Sequence, residues 1–137
     1  MYNTSSLTSS EIITNYHKVC DRIKVAAESV DRDYNEICLV VVTKTFDPSV
    51  FIPLIDIGHK DFGENKVQDM VAKYQSLPKN IRWHMIGHLQ RNKVKDIIEF
   101  IHLIHSVDSF RLIDHINKLS IDKNIFTNIL IQVKISN

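Results

Sequence analysis

Glycine and proline are scarce, three of each in 137 residues, and no stretch rich in Gly, Ser or Pro interrupts the chain. That excludes an interdomain linker or a low-complexity tract, and the length fits one ordinary domain over residues 1–137 with a core of its own. An excess of either charge is also lacking: 17 Lys and Arg against 16 Asp and Glu leave a formal +1. No basic footprint therefore points to nucleic acid or an anionic membrane. Cysteine occurs twice, at Cys20 and Cys38, with no CxxC pair and no disulfide framework, so a reducing, cytoplasmic setting is expected. The opening Met-Tyr-Asn-Thr-Ser-Ser is polar, where a secretory signal needs a basic segment followed by an apolar run. No apolar run is long enough to span a bilayer. What remains, with 44% hydrophobic residues, is the composition of a globular protein.

Thr8 and Glu11 have the spacing of a capping box, and Ile13, Tyr16, Cys20, Ile23, Ala27 and Val30 recur at helical intervals. This pattern predicts an amphipathic helix over about 9–30. The run from Ile37 to Val42 is continuous and mostly β-branched, as expected of a parallel strand buried on both faces. Helix and strand then alternate. Pro48 and Ser49 open a helix that Gly58 ends, 60–62 is a short strand, and 64–74 is helical. Strands are predicted at 82–86, 102–105 and 127–135, with helices at 92–100 and 109–119. Strict βα alternation with short connections implies parallel strands joined by right-handed crossovers, in a doubly wound sheet or in part of a (β/α) barrel. Periodicity leaves that choice open.

Lys44 follows the first predicted strand at its carboxyl end, the end that carries the chemistry in both architectures. Desolvation there disfavours an ammonium ion, so a lysine among buried neighbours can supply the neutral amine that attacks an aldehyde. The plainer alternative is a strand-terminal lysine that reaches out to solvent.

Several segments carry a resemblance, in order and spacing. Val41-Val-Thr-Lys-Thr45 resembles the segment in which proteins of the YggS/PROSC family hold pyridoxal phosphate (PLP). Asp61-Phe-Gly-Glu-Asn-Lys-Val-Gln68 is similar to that family's DFGEN-x-VQ motif, and Arg82-Trp-His-Met-Ile-Gly-His-Leu-Gln90 to its RWHFIGxLQ motif. Asn92-Lys-Val94, His105-Ser-Val-Asp-Ser109 and Ile131-Gln-Val-Lys-Ile-Ser136 continue the match. Several long motifs in one order are far more specific than one short pattern. The resemblance implies a TIM-type PLP-binding barrel related to the N-terminal domain of alanine racemase, with Lys44 forming a Schiff base to PLP. It also implies a role in PLP homeostasis without turnover, with PLP-dependent apo-enzymes as candidate partners.

Two neighbours are candidate cofactor contacts. Asn65, between a short strand and a helix, either donates to the cofactor or caps the helix. His84, on the third strand, either meets the cofactor at the barrel mouth or is a satisfied core histidine. His84 and His88 are four apart, but Gly87 and the strand-to-loop setting spoil a shared helical face, so no metal site is expected. His102 and His105 differ by an odd number and should face opposite sides of a strand. Trp83 should point away from His84, towards the helical shell, as a packing anchor.

A full barrel has eight strands and typically about 250 residues. About five of the eight strands are predicted here, and the loops that would hold the PLP phosphate are missing, in keeping with three glycines. Weak PLP binding or none, and self-association through the apolar fifth strand, are therefore expected. An inactive remnant of the family is the second reading. An amino-acid racemase ranks third, since it needs a second acid/base residue and Tyr2, Tyr16, Tyr34 and Tyr74 lie away from strand ends.

Overall fold

The computed structural model describes residues 7–135; Tyr2, the polar opening segment and Ser136 lie outside the described residues. Two compact units are present, one comprising the chain up to Leu39 with Phe46–His59, the other Val40–Thr45 with the chain from Lys60 onward.

The first unit is helical. Helix α1, Ser9–Glu28, opens on the expected capping box: the Thr8 hydroxyl accepts from the Glu11 N–H at 3.2 Å and the Glu11 carboxylate accepts from the Thr8 N–H at 2.7 Å. These bonds satisfy two of the donors that a helix N-terminus leaves unpaired. Helix α2, Pro48–Asp56, is capped by Asp47, with proline at its start where no N–H is needed. Beyond it Gly58 takes φ +93°, a conformation open to glycine at no steric cost. The Tyr16 hydroxyl meets His59 Nδ1 at 3.0 Å.

The second unit holds five parallel strands: β1 Val41–Val42, β2 Asp61–Glu64, β3 Arg82–Met85, β4 Ile101–Val107 and β5 Ile129–Ile131. Their spatial order is their sequence order, β1-β2-β3-β4-β5. A doubly wound sheet reverses direction at a switch point, whereas a barrel adds each strand on the same side of the last. The order therefore selects an arc of a (β/α) barrel. Helices α3, Val67–Ser76, α4, Val94–Ile97, and α5, Phe110–Lys123, occupy the crossovers.

Register sorts the side chains. Val42, Gly63, His84 and Leu103 form one row, and the pairs Val41↔Phe62↔Trp83 form its neighbour. Phe62, Trp83, Met85 and Ile104, all 0% exposed, belong to the core. Trp83 is the expected packing anchor, with its ring 6.3 Å from that of Phe62.

Three expectations change. The first strand is paired only at Val41–Val42, and Val42 is 46% exposed. β1 pairs with β2 alone among the described residues, so it forms an edge of the sheet. Glu64, expected to begin a helix, ends β2 as a fully buried residue. The helix expected over 92–100 is a 3₁₀ turn, Arg91–Lys93, followed by the short α4.

Candidate functional site

Lys44 lies in the turn after β1 and is exposed. The buried surroundings expected for it exist on one side only, because Thr43 before it is 2% exposed. Thr45 after it has φ +68°, the left-handed region, an outlier for a β-branched residue. Since Thr43 faces α3 through its bonds to Lys73 and Glu64, strand alternation assigns Val42 and Lys44 to the opposite side, that of Gly63.

Asn65 follows β2, one strand over, at the same level as Lys44 when the Val42↔Gly63 register is extended. It is half-buried, and its Oδ1 is fully shielded with no hydrogen-bond partner among the described residues. The cap of α3 is Lys66, without a side-chain cap bond, so Asn65 does not serve as the cap. Close approach from β3 fixes its place: a Cβ on Gly87 would lie 2.3 Å from the Asn65 carbonyl oxygen and 2.7 Å from its Cα, so only glycine fits there. The Gly87 carbonyl in turn accepts from the Ser106 hydroxyl at 2.6 Å, joining β4.

His84 sits lower, in the Gly63 row, two residues or about 7 Å before the level of Lys44. Its Nε2 contacts Asp61 Oδ1 at 2.9 Å and its Nδ1 contacts His105 Nε2 at 3.0 Å. Arg82 also binds Asp61. An ionised Asp61 only accepts, so Nε2 of His84 carries the proton and His105 donates to Nδ1. Both ring nitrogens are thus engaged by protein. His88, in contrast, pairs with Asp108 at 3.4 Å and is largely exposed. His102 and His105 do not diverge as alternation predicts: their rings lie 5.3 and 5.2 Å from that of His84. The β3–β4 register shifts between Trp83 and His84, where one extra β4 residue breaks the alternation.

Burial holds the His84 ring below the ordinary histidine value, outweighing the opposite pull of Asp61, and the charges of His102 and Arg82 add to the lowering. Burial and the charge of His84 likewise lower His105. For Asp61 burial pushes upward, but hydrogen bonds from Arg82 and His84 prevail and lower the carboxyl. Each depressed pKa means that the unfolded chain binds more protons on acidification, so each group stabilises the fold above its unfolded value. Stability is expected to fall in two stages, below about pH 6.5 as the histidines charge and below about pH 4 as Asp61 protonates. Urea midpoints at pH 7.5 and 5.5 measure the first stage, which should shrink in His105→Gln; an equal drop in that variant would contradict the assignment.

Three residues around Lys44 escaped the sequence reading: Thr43, Glu64 and Lys73, which form a buried network. The available signal was Lys73 itself, since Val67, Met70 and Lys73 are the buried residues of α3 at steps of three, and a lysine on a buried stripe needs a partner.

No family model matches the chain. Curated relatives do: the pyridoxal phosphate homeostasis protein of Aquifex aeolicus is 39% identical over 119 residues, covering 86% of this chain and 52% of that protein. The Escherichia coli protein of the same name is 34% identical over 131 residues, 93% of this chain and 56% of that one. Among solved structures, a protein of unknown function from Bifidobacterium adolescentis aligns with TM-score 0.81 and 31% identity over 89% of this chain and 54% of that one. PipY of Synechococcus elongatus, solved with PLP bound, aligns with TM-score 0.69 and 28% identity over 83% of this chain and 55% of PipY. A sequential parallel arc with a lysine after its first strand thus defines an incomplete barrel of the PLP-binding type. The chain belongs to the YggS/PROSC family of pyridoxal phosphate homeostasis proteins and spans about half the length of the curated relatives it matches.

Proposed function

We propose that this chain carries PLP on Lys44 in a cofactor-homeostasis role, without turnover of its own. The observation that carries the reading is the placement of Lys44: an exposed amine at the carboxyl end of β1, one residue beyond a fully buried Thr43. PLP supplies an aldehyde that condenses with an amine, together with an anionic phosphate. The residues present fit the aldehyde end. Lys44 offers the nucleophile, and Asn65, half-buried at the same level one strand over, is the candidate donor to the cofactor through its side-chain NH₂. His84, the other candidate contact, is 2% exposed, with both ring nitrogens on protein partners and the His102 and His105 rings beside it, so its contribution is to hold the strands beneath the site. For the phosphate, Gly58, Gly63 and Gly87 build no glycine-rich loop among the described residues.

Among the tyrosines of the described residues, none is placed as the second acid/base that the racemase reading needs. Tyr16 is bonded to His59, Tyr74 stacks on Phe100 at 3.9 Å, and Tyr34 belongs to the 3₁₀ turn Tyr34–Glu36. The candidate recipients are PLP-dependent apo-enzymes. Cys20 and Cys38 form no disulfide, which fits a reducing, cytoplasmic setting, and no helix among the described residues is long and apolar enough to cross a membrane. The half-exposed Leu130 and Ile131 of β5 leave an apolar edge open to pairing with another chain.

Titration of the purified chain with PLP, borohydride reduction and peptide mass analysis test the reading. A saturable absorbance change and a pyridoxyl adduct on Lys44, lost in Lys44→Ala, are the expected results. Adducts scattered over many lysines, unchanged by that substitution, would instead favour an inactive remnant.

A further inference from the structure

A buried charge pair lies directly behind Lys44, outside any position from which it could touch a ligand at the Gly63 side of the sheet. All polar groups of Thr43 are committed. Its N–H donates to the Gly63 carbonyl at 3.0 Å, its hydroxyl donates to Glu64 Oε1 at 2.6 Å, and its carbonyl accepts from Lys73 Nζ at 2.8 Å. Lys73 Nζ also donates to the same Glu64 oxygen at 2.6 Å. Thr43, Glu64 and Lys73 are 2%, 0% and 7% exposed.

As a source of stability this arrangement is poor. Removing a carboxylate and an ammonium from water offsets most of their attraction, and apolar residues of similar volume would fill the space as well. Glu64 Oε2 is even left buried without a partner among the described residues. What the pair supplies is geometry: one oxygen and one nitrogen hold both the side chain and the carbonyl of Thr43, the buried residue that follows β1. Immediately beyond, the chain is exposed at Lys44 and left-handed at Thr45. An unfavourable conformation persists only where its surroundings over-determine it, and the clamp on Thr43 is the fixed point from which that turn starts.

We infer that Thr43, Glu64 and Lys73 are positioning residues for Lys44: the buried triad clamps the end of β1 and so fixes where the reactive amine leaves the sheet. This rests on the reading of Lys44 as the PLP lysine. The triad would act on attack geometry, where a displacement of about 1 Å can cost on the order of 100-fold in rate.

The test compares the full chain with Thr43→Val, which removes the hydroxyl at constant shape, with Thr43→Ser, which keeps it, and with the double variant Glu64→Gln/Lys73→Met, which leaves no unpaired charge. Each is treated with PLP and borohydride, and the Lys44 share of total pyridoxyl adduct is measured by peptide mass. Hydrogen exchange of the peptide covering 43–46 is followed without PLP. Thr43→Val and the double variant are expected to lose on the order of tenfold or more in Lys44 selectivity, with faster exchange at 43–46, while Thr43→Ser stays near the parent. Reduced stability alone would not redistribute adduct among lysines of the folded chain. Unchanged selectivity and exchange in the double variant would overturn the inference, whether or not Thr43→Val folds. If the parent itself shows no preference for Lys44, the PLP reading fails, and exchange alone decides the clamp: faster at 43–46 in the variants upholds it, unchanged removes it.

Discussion

Lys73→Met alone is expected to lower the stability of the fold by about 3–5 kcal/mol, the usual cost of leaving one member of a buried ion pair behind. Glu64 has no access to solvent, and the substitution takes away the cation 2.6 Å from its Oε1, leaving the Thr43 hydroxyl as its remaining hydrogen-bond donor in that network. The Thr43 carbonyl loses a donor as well. Adding Glu64→Gln should restore most of the loss, because a neutral amide tolerates burial far better than an unpaired carboxylate. Urea unfolding of the parent, the single and the double variant at neutral pH separates these effects. A single variant as stable as the double would mean that Glu64 is not held as a buried charge.

Trp83 gives the second large effect. Its side chain is 0% exposed and lies against Phe62, so Trp83→Ala should cost about 3–5 kcal/mol through lost burial and the cavity left behind. Trp83→Phe should cost far less than area predicts. The indole N–H is buried with no acceptor among the described residues, and deleting an unsatisfied donor recovers about 1–3 kcal/mol of desolvation penalty. Because Trp83 is the sole tryptophan, unfolding must be followed by circular dichroism. A Phe variant as unstable as the Ala variant would show that the indole nitrogen has a partner, such as an ordered water.

Much of the fold was legible in the residues. The capping box at Thr8 and Glu11 marked the start of α1, and Asp47-Pro48 that of α2, because these signals are local and act within one helical turn. The five strands appeared in the expected order. Their lengths were misjudged at the ends of the sheet, where β1 shrank to Val41–Val42 and β5 to Ile129–Ile131. Apolar character records a strand's capacity for burial, while pairing depends on a neighbour being there.

The candidate site divided in the same way. By itself the sequence determined the family, through motifs running from Val41 to Gln90 and beyond, and it placed Lys44 after the first strand, since a strand's end can be read from where its aliphatic run stops. Periodicity left open whether the sheet is a sequential arc, since crossover direction leaves no periodic trace; the family resemblance implied a barrel, and the strand order of the structure shows the arc directly. The tertiary structure alone tied His84 to Asp61 and His105 across three strands, through a register shift that no alternation rule anticipates. It alone brought Lys73, nine residues along the chain, back onto Glu64 and Thr43: a lone lysine on a helix stripe acquires meaning only when the packing of that helix on the sheet supplies the buried carboxylate that it must neutralise.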